Sequence, residues 1–144
     1  MSDADISAPA NEDRGELSLI LDGTNMVLRP TFEALNEIEQ TLDRGLVDLA
    51  RAAIDAKLKL SEVAQIATAC IRAWGRDIGD KGAAGATATR ISRLIVDSEA
   101  GLHSALRTIS AMLSLAVTGG YDSAGEMKPS AKKTTTTEKA PVDG

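Results

Sequence analysis

LILDGTNMVLRPTFEALNEIE, residues 19–39, decides the fold. Aliphatic side chains alternate up to Asp22-Gly23, alternate again, halt at Pro30 and resume at once with helical spacing. Leu17, Leu19 and Leu21 fall on one side of an extended segment, Ser18 and Ile20 on the other. Asp-Gly suits the two central positions of a two-residue hairpin turn, both of which need positive φ. The pattern predicts a β-hairpin over 17–28, and because two strands alone are marginal in water, one of its faces must lie on helices.

Those helices follow directly. Pro30 ends the second strand and Thr31 is placed to cap a helix carrying Phe32, Leu35, Ile38 and Leu42. Gly45 breaks that run. A second helix carries Leu46, Leu49, Ala50, Ala53 and Ile54, and Ser61, with Glu62 behind it, reads as the cap of a third. The third has the clearest period so far, with Val63, Ile66, Ala67, Cys70, Ile71 and Trp74 on one stripe. The glycines of WGRDIGDKGAAGATATR read as a mobile connection. Helical spacing returns at about Thr89 and runs to Val117, with Gly101 able to split it and Gly119-Gly120 ending it. The expectation is a mainly α (α+β) fold: an N-terminal β-hairpin followed by a compact bundle of four to five short amphipathic helices. Residues 1–14 read as a disordered acidic arm, 15–120 as the domain, and 121–144 as a disordered low-complexity tail.

Composition agrees with one helical core. The chain has 144 residues, 43% of them apolar, and only Phe32, Trp74 and Tyr121 are aromatic, so Leu, Ile, Val, Ala and Met must fill the interior. The formal charge of −5 divides into −3 over 1–14, −2 over 15–118 and zero over 119–144. Nucleic-acid binding, which needs Lys and Arg against phosphates, is not expected. Neither is membrane insertion, since no apolar run approaches about 20 residues. The start lacks the basic and apolar regions of a signal peptide, which leads to an expectation of a cytoplasmic protein.

No reactive cluster is legible. Cys70 and His103 are solitary, so neither a disulfide nor a thiolate or imidazole metal site can be nominated. Glu33 and Glu37 share one helix rather than facing each other across a cleft, and read as a solvated face. GDKGAAGAT lacks the spacing of a phosphate loop and follows a helix rather than a strand. The expectation is a non-enzymatic protein with no cofactor, whose surplus is apolar helix faces.

RGELSLILDGTNMVLRPTFEALNEIEQTL (14–42), then GLVDLARAAI, LSEVAQIATACIRAWG and IVDSEAGLHSALRTISAMLSLAVTGG, resembles the tail assembly chaperones of gene transfer agents and related tailed phages. The resemblance runs to about Gly120 and leaves out the arm and the Thr/Lys tail. It implies a protein of the bacterial host cytoplasm that binds and solubilises the tape measure protein during tail morphogenesis and is not expected in the mature particle. The partner would be an apolar helical segment, with other tail proteins or a second copy as further possibilities. Matching motif residues are Leu21, Asp22, Gly23, Arg29, Pro30, Thr31, Phe32, Glu33 and Leu35, most of them architectural. For the partner the candidate contacts are Leu102, Leu106, Ile109 and Leu113, on a helix flanked by glycine. Rival readings are a structural minor tail component retained in the particle and a small helical regulatory protein, the latter disfavoured by the acidic arm.

Overall fold

The computed structural model describes residues 17–129; the expected arm at 1–14 and the part of the expected tail beyond 129 lie outside the described residues. Strands β1 (Leu17–Leu21) and β2 (Thr24–Leu28) form the hairpin, joined by Asp22 at φ 49° and Gly23 at φ 79°. Both turn residues take the positive φ that this two-residue turn demands. The pairing sets Leu21 against Thr24, Leu19 against Met26 and Leu17 against Leu28. Leu19, Leu21, Met26 and Leu28 are buried in the core, while Ile20 on the other side is 65% exposed.

Thr31 caps α1 (Phe32–Leu42) as expected, its Oγ1 accepting from the Ala34 N–H at 3.1 Å. The buried stripe is Ala34 and Ile38, with Leu35 and Leu42 packed at its margin. Phe32, expected on that stripe, is 60% exposed. At 100° per residue it sits roughly 100° round the cylinder from the stripe's centre, and Ala34 takes the inward position of the first turn instead. The same correction applies to Ile54 in α2 (Leu46–Ile54): the inward set is Leu49, Ala50, Ala52 and Ala53, and Ile54 is 65% exposed.

α3 (Leu60–Ile78) is the hub, touching β2, α1, α4, α5 and α6. The expected stripe is buried throughout. Ala64, Ala69 and Ala73 are buried as well, because small side chains let neighbours close on a second side of the helix. The cap is not Ser61. The helix starts two residues earlier, with Lys59 as N-cap, and the Glu62 carboxylate accepts the Lys59 N–H at 2.9 Å while pairing with Arg44 at 2.8 Å.

The glycine-rich connection is ordered structure rather than a mobile link. α3 runs on to Ile78, Gly79 ends it at φ 77°, and the single turn α4 (Lys81–Ala84) packs back on it. A Cβ on Gly75 would stand 2.3 Å from the Ala84 backbone nitrogen, so this glycine marks a close approach and not a hinge. Arg72 then ties the turn down, its Nε donating to the Ala86 carbonyl at 2.7 Å and its Nη1 pairing with Glu37 at 3.1 Å.

The last helical stretch splits as Gly101 allowed, into α5 (Ala88–Asp97) and α6 (Gly101–Val117). α6 lays Ala105, Leu106, Ile109, Met112 and Leu113 into the core, chiefly against α2. The described chain therefore holds six helices, one of them a single turn. Beyond Gly120 it does not become a tail at once. Tyr121 is buried and bridges to Met127, and Lys128 N–H donates to the Gly120 carbonyl at 2.8 Å, so 121–128 form a strap that aperiodic sequence did not announce.

Two backbone positions give opposite expectations. Ala56 holds φ 56° just past α2, where Lys57 N–H reaches the Ala52 carbonyl at 2.8 Å, the bond that closes a left-handed helix end. Ala56→Gly should stabilise by about 0.5–1 kcal/mol, whereas Gly75→Ala should cost about 1–3 kcal/mol by pushing α4 off α3. Urea midpoints of the two variants check both signs. Glu62 supplies a pH dependence. Its carboxyl is held below the ordinary value of 4.5, first by the Lys59 N–H and then by Arg44, with partial burial working the other way. Stability from a depressed carboxyl is present above the unfolded value and is lost as pH falls through the folded one. Below about pH 4.5 the wild-type stability should therefore fall more steeply than that of Glu62→Gln, measured by denaturant unfolding across that range.

Candidate partner-binding surface

The motif residues Arg29 to Glu33 gather around one buried cation, while Leu21, Asp22 and Gly23 lie at the other end of the hairpin. Arg29 follows β2 directly and is 4% exposed. Its backbone N–H donates to the Cys70 carbonyl at 3.1 Å, fixing the end of the hairpin to the middle of α3. The guanidinium fans out from there: Nη1 to Asp77 at 2.7 Å, Nε to the Ala124 carbonyl at 3.1 Å, and Nη2 to Glu126 at 3.5 Å. Gly125 lies so close to Pro30 and Thr31 that a Cβ there would meet their backbone at 3.0 Å, and Phe32 N–H donates to the Ser123 carbonyl at 2.9 Å. Glu33 is exposed at the rim of the shallow hollow over this node, beside Arg76 and Asp77. The Arg29–Phe32 part of the motif is thus a clasp joining hairpin, α1, α3 and strap.

Residues weighed for chemistry do not come together. Cys70 is fully buried, and removal from water pushes its thiol up to about 12, with Glu37 adding in the same direction. His103 is exposed on α6 and Glu37 is spoken for by Arg72. Among the described residues there is no group of three or more His, Cys, Asp or Glu placed to hold a metal ion. No helix among them is long and apolar enough to cross a membrane.

The four candidate contacts on α6 occupy the interior. Ile109 and Leu113 are fully buried, Leu106 is 8% exposed and Leu102 is half-buried against the core. A partner could reach them only if α6 left α2. Exposed apolar positions lie elsewhere: Val47, which the periodicity passed over, and Ile54, which it placed inward. Val47 (58% exposed) and Ile54 (65%) stand seven residues apart on the outer side of α2, so they point within roughly 20° of one another. Both lie roughly 120–140° from the centre of the inward set of α2, but Ile54 is only about 40° round from the buried Ala50, which is what drew it onto the stripe.

The polar face of α6 also borders open space. Ser104, Arg107, Thr108 and Ala111 line a groove against β1, made of two adjoining hollows of about 650 and 450 Å³ that share Ser18, Ser104 and Thr108. Asp22, Asp97 and Glu99 stand at the turn end, where the Asp22 N–H donates to Ser98 Oγ at 3.3 Å.

Residues 14–119, about three quarters of the chain, match the model of the family described as phage tail tube protein, GTA-gp10. No curated protein and no solved structure matches the chain.

The clasp can be tested without a partner. Arg29→Lys keeps the charge but cannot serve three acceptors in three directions. Asp77 and Glu126 are each about two-fifths exposed and can rehydrate, so the cost should be about 1–3 kcal/mol, below that of stranding a buried ion. In hydrogen exchange the Phe32 and Lys128 amides, which bond within the strap contacts, should lose protection before those of α3.

Proposed function

This chain belongs to the phage and gene transfer agent tail family described as phage tail tube protein, GTA-gp10, and from that premise we propose that it acts in tail morphogenesis as an assembly chaperone. It would hold apolar helical segments of the tape measure protein in the host cytoplasm and be absent from the finished particle. The observation that carries this reading is the outward pair Val47 and Ile54. A spacing of seven residues aligns two apolar anchors with a partner helix whose own apolar positions recur every three to four residues.

Magnitudes favour a weak, reversible grip. Burying a Val and an Ile side chain contributes about 1.5–3 kcal/mol each, of the same order as the lower estimates for lost translational and rotational freedom, about 4 kcal/mol and upward. One such contact binds poorly. Several copies along one long helical chain would still keep its apolar surface from aggregating, and each could leave as the tail forms.

A second reading has a specific ground, the family's own description as a tail tube protein. A tube subunit must present two complementary surfaces that repeat around and along the tube. The large exposed apolar residues here, Ile20, Phe32, Val47, Ile54, Ile78 and Val96, are spread over five elements. That spread suits transient contacts better. Mass spectrometry of purified particles separates the two: stoichiometric amounts in tails would sink the chaperone reading, and absence would sink the tube reading.

Co-expression with an insoluble tape measure fragment tests the surface. Val47→Asp combined with Ile54→Asp should cut the soluble fraction of the fragment several-fold while far-UV circular dichroism and Tm stay near wild type, because both sites are already in water. Leu106→Asp or Ile109→Asp should instead unfold the domain, since an unpaired buried carboxylate costs several kcal/mol. An α2 double variant that solubilises as well as wild type removes α2 as the seam. A wild-type protein that never co-purifies with any tape measure segment ends the proposal.

A further inference from the structure

Among the described residues the β1 edge of the hairpin has no neighbouring strand. Leu21 opposite Thr24 closes a two-residue turn and is therefore a hydrogen-bonded pair; pairs alternate, so Leu19 with Met26 and Leu17 with Leu28 are hydrogen-bonded too. The N–H and C=O groups of Ser18 and Ile20 consequently point away from β2. No described residue takes them up. The next outward donor along the strand, Asp22 N–H, is taken by Ser98 Oγ at 3.3 Å, which shows that this edge looks toward the α5–α6 turn and the groove beside α6.

We propose that this edge accepts an extended, basic segment of a partner protein as an added strand. Main-chain pairing to Ser18 and Ile20 would give the attachment, and the groove would take the side chains. Its length fits: five residues of β1 span about 17 Å of strand. Charge selects the occupant. Asp22, Asp97 and Glu99 line the larger hollow with no Lys or Arg among its described lining residues, and the N-terminus of α6 offsets only about half a charge. Arg107, at the far end of the smaller hollow, leaves that end less selective. A second copy of this chain, at net charge −5, suits the groove less well than a segment flanked by lysine or arginine. This inference is independent of the α2 seam and of the chaperone reading, since it needs only a partner strand.

The test uses the full chain and a blocked peptide, acetyl-Lys-Thr-Val-Thr-Val-Thr-Lys-amide, with a glutamate-flanked twin and a version N-methylated at alternate residues. Saturating lysine peptide should protect the Ser18 and Ile20 amides by about tenfold or more in NMR hydrogen exchange, and binding should weaken as salt rises. The glutamate and N-methylated peptides should bind at least about tenfold more weakly, a comparison that leaves the protein untouched. Asp97→Asn with Glu99→Gln should weaken the lysine peptide and not the glutamate one. Ile20→Pro should abolish binding, and because the lost N–H faces outward the Leu19 and Leu21 amides should stay protected. Equal binding of the lysine and glutamate peptides would overturn the proposal. So would protection of Ser18 and Ile20 before any peptide is added, which would mean that the chain or a second copy already covers the edge.

Discussion

The clasp at Arg29 is the constraint on which the rest of the structure depends. A guanidinium taken out of water is destabilising unless nearly all its donors find acceptors, and here the acceptors come from segments far apart in sequence: Asp77 at the end of α3, and Ala124 and Glu126 in the strap. Satisfying one side chain therefore fixes three segments at once. The Arg29 N–H to Cys70 bond sets the hairpin over the middle of α3, and the Phe32 N–H to Ser123 bond ties the start of α1 to the strap. The planar fork, with donors in several fixed directions, is what lets a single residue do this; an ammonium would hold one carboxylate and release the strap.

Around that point the core is assembled from small and branched aliphatic residues. α3 carries Ala64, Ala67, Ala69 and Ala73 along with Val63, Ile66 and Ile71, so α1, α5, α4 and β2 can all approach one helix closely. Gly75 carries the same logic to its limit at the contact with α4. Close approach replaces aromatic bulk, which is why a chain with three aromatic residues can still bury a continuous interior; of those three only Trp74 and Tyr121 are inside. Among the described residues the Tyr121 hydroxyl has no hydrogen-bond partner, and burial raises its pKa.

Legibility in the sequence followed the range of the interaction. The hairpin, its Asp22-Gly23 turn, the Thr31 cap and the stripe of α3 are written in residues a few positions apart, and the pattern located each of them. Phe32 and Ile54 were misplaced because both are apolar and adjoin a stripe, while the inward direction is settled by alanines that periodicity weighs lightly. The strap could not be read at all. What holds 121–128 is a pairing with Arg29 across roughly a hundred positions, and its sequence has no period. Gly75 and Gly79 were seen, but a glycine that permits close approach and one that permits motion look identical until the neighbour is known. The α6 stripe was located as apolar but read as a surface for a partner; packing against α2, which spacing along one helix does not reveal, puts Leu106, Ile109 and Leu113 inside.

The two surfaces proposed for partners ask for different things, and this bears on what the hairpin is for. An outward Val–Ile pair on a helix recognises apolar spacing and little else, so it tolerates many sequences and holds each weakly. A strand edge recognises main chain, and so discriminates only through what flanks it, here three carboxylates at one end of a groove. A protein that used the helix face alone would bind any exposed amphipathic helix in the cell; one that used the edge alone would risk pairing with any unpaired strand. Requiring both on the same partner chain raises effective concentration for the correct partner while each site stays too weak to retain a wrong one. If both contacts are made, a hairpin that leads straight into a helix bundle would be more than a brace: it would place a directional, charge-marked contact on the same domain as a tolerant one, with the Arg29 clasp holding the hairpin to α3.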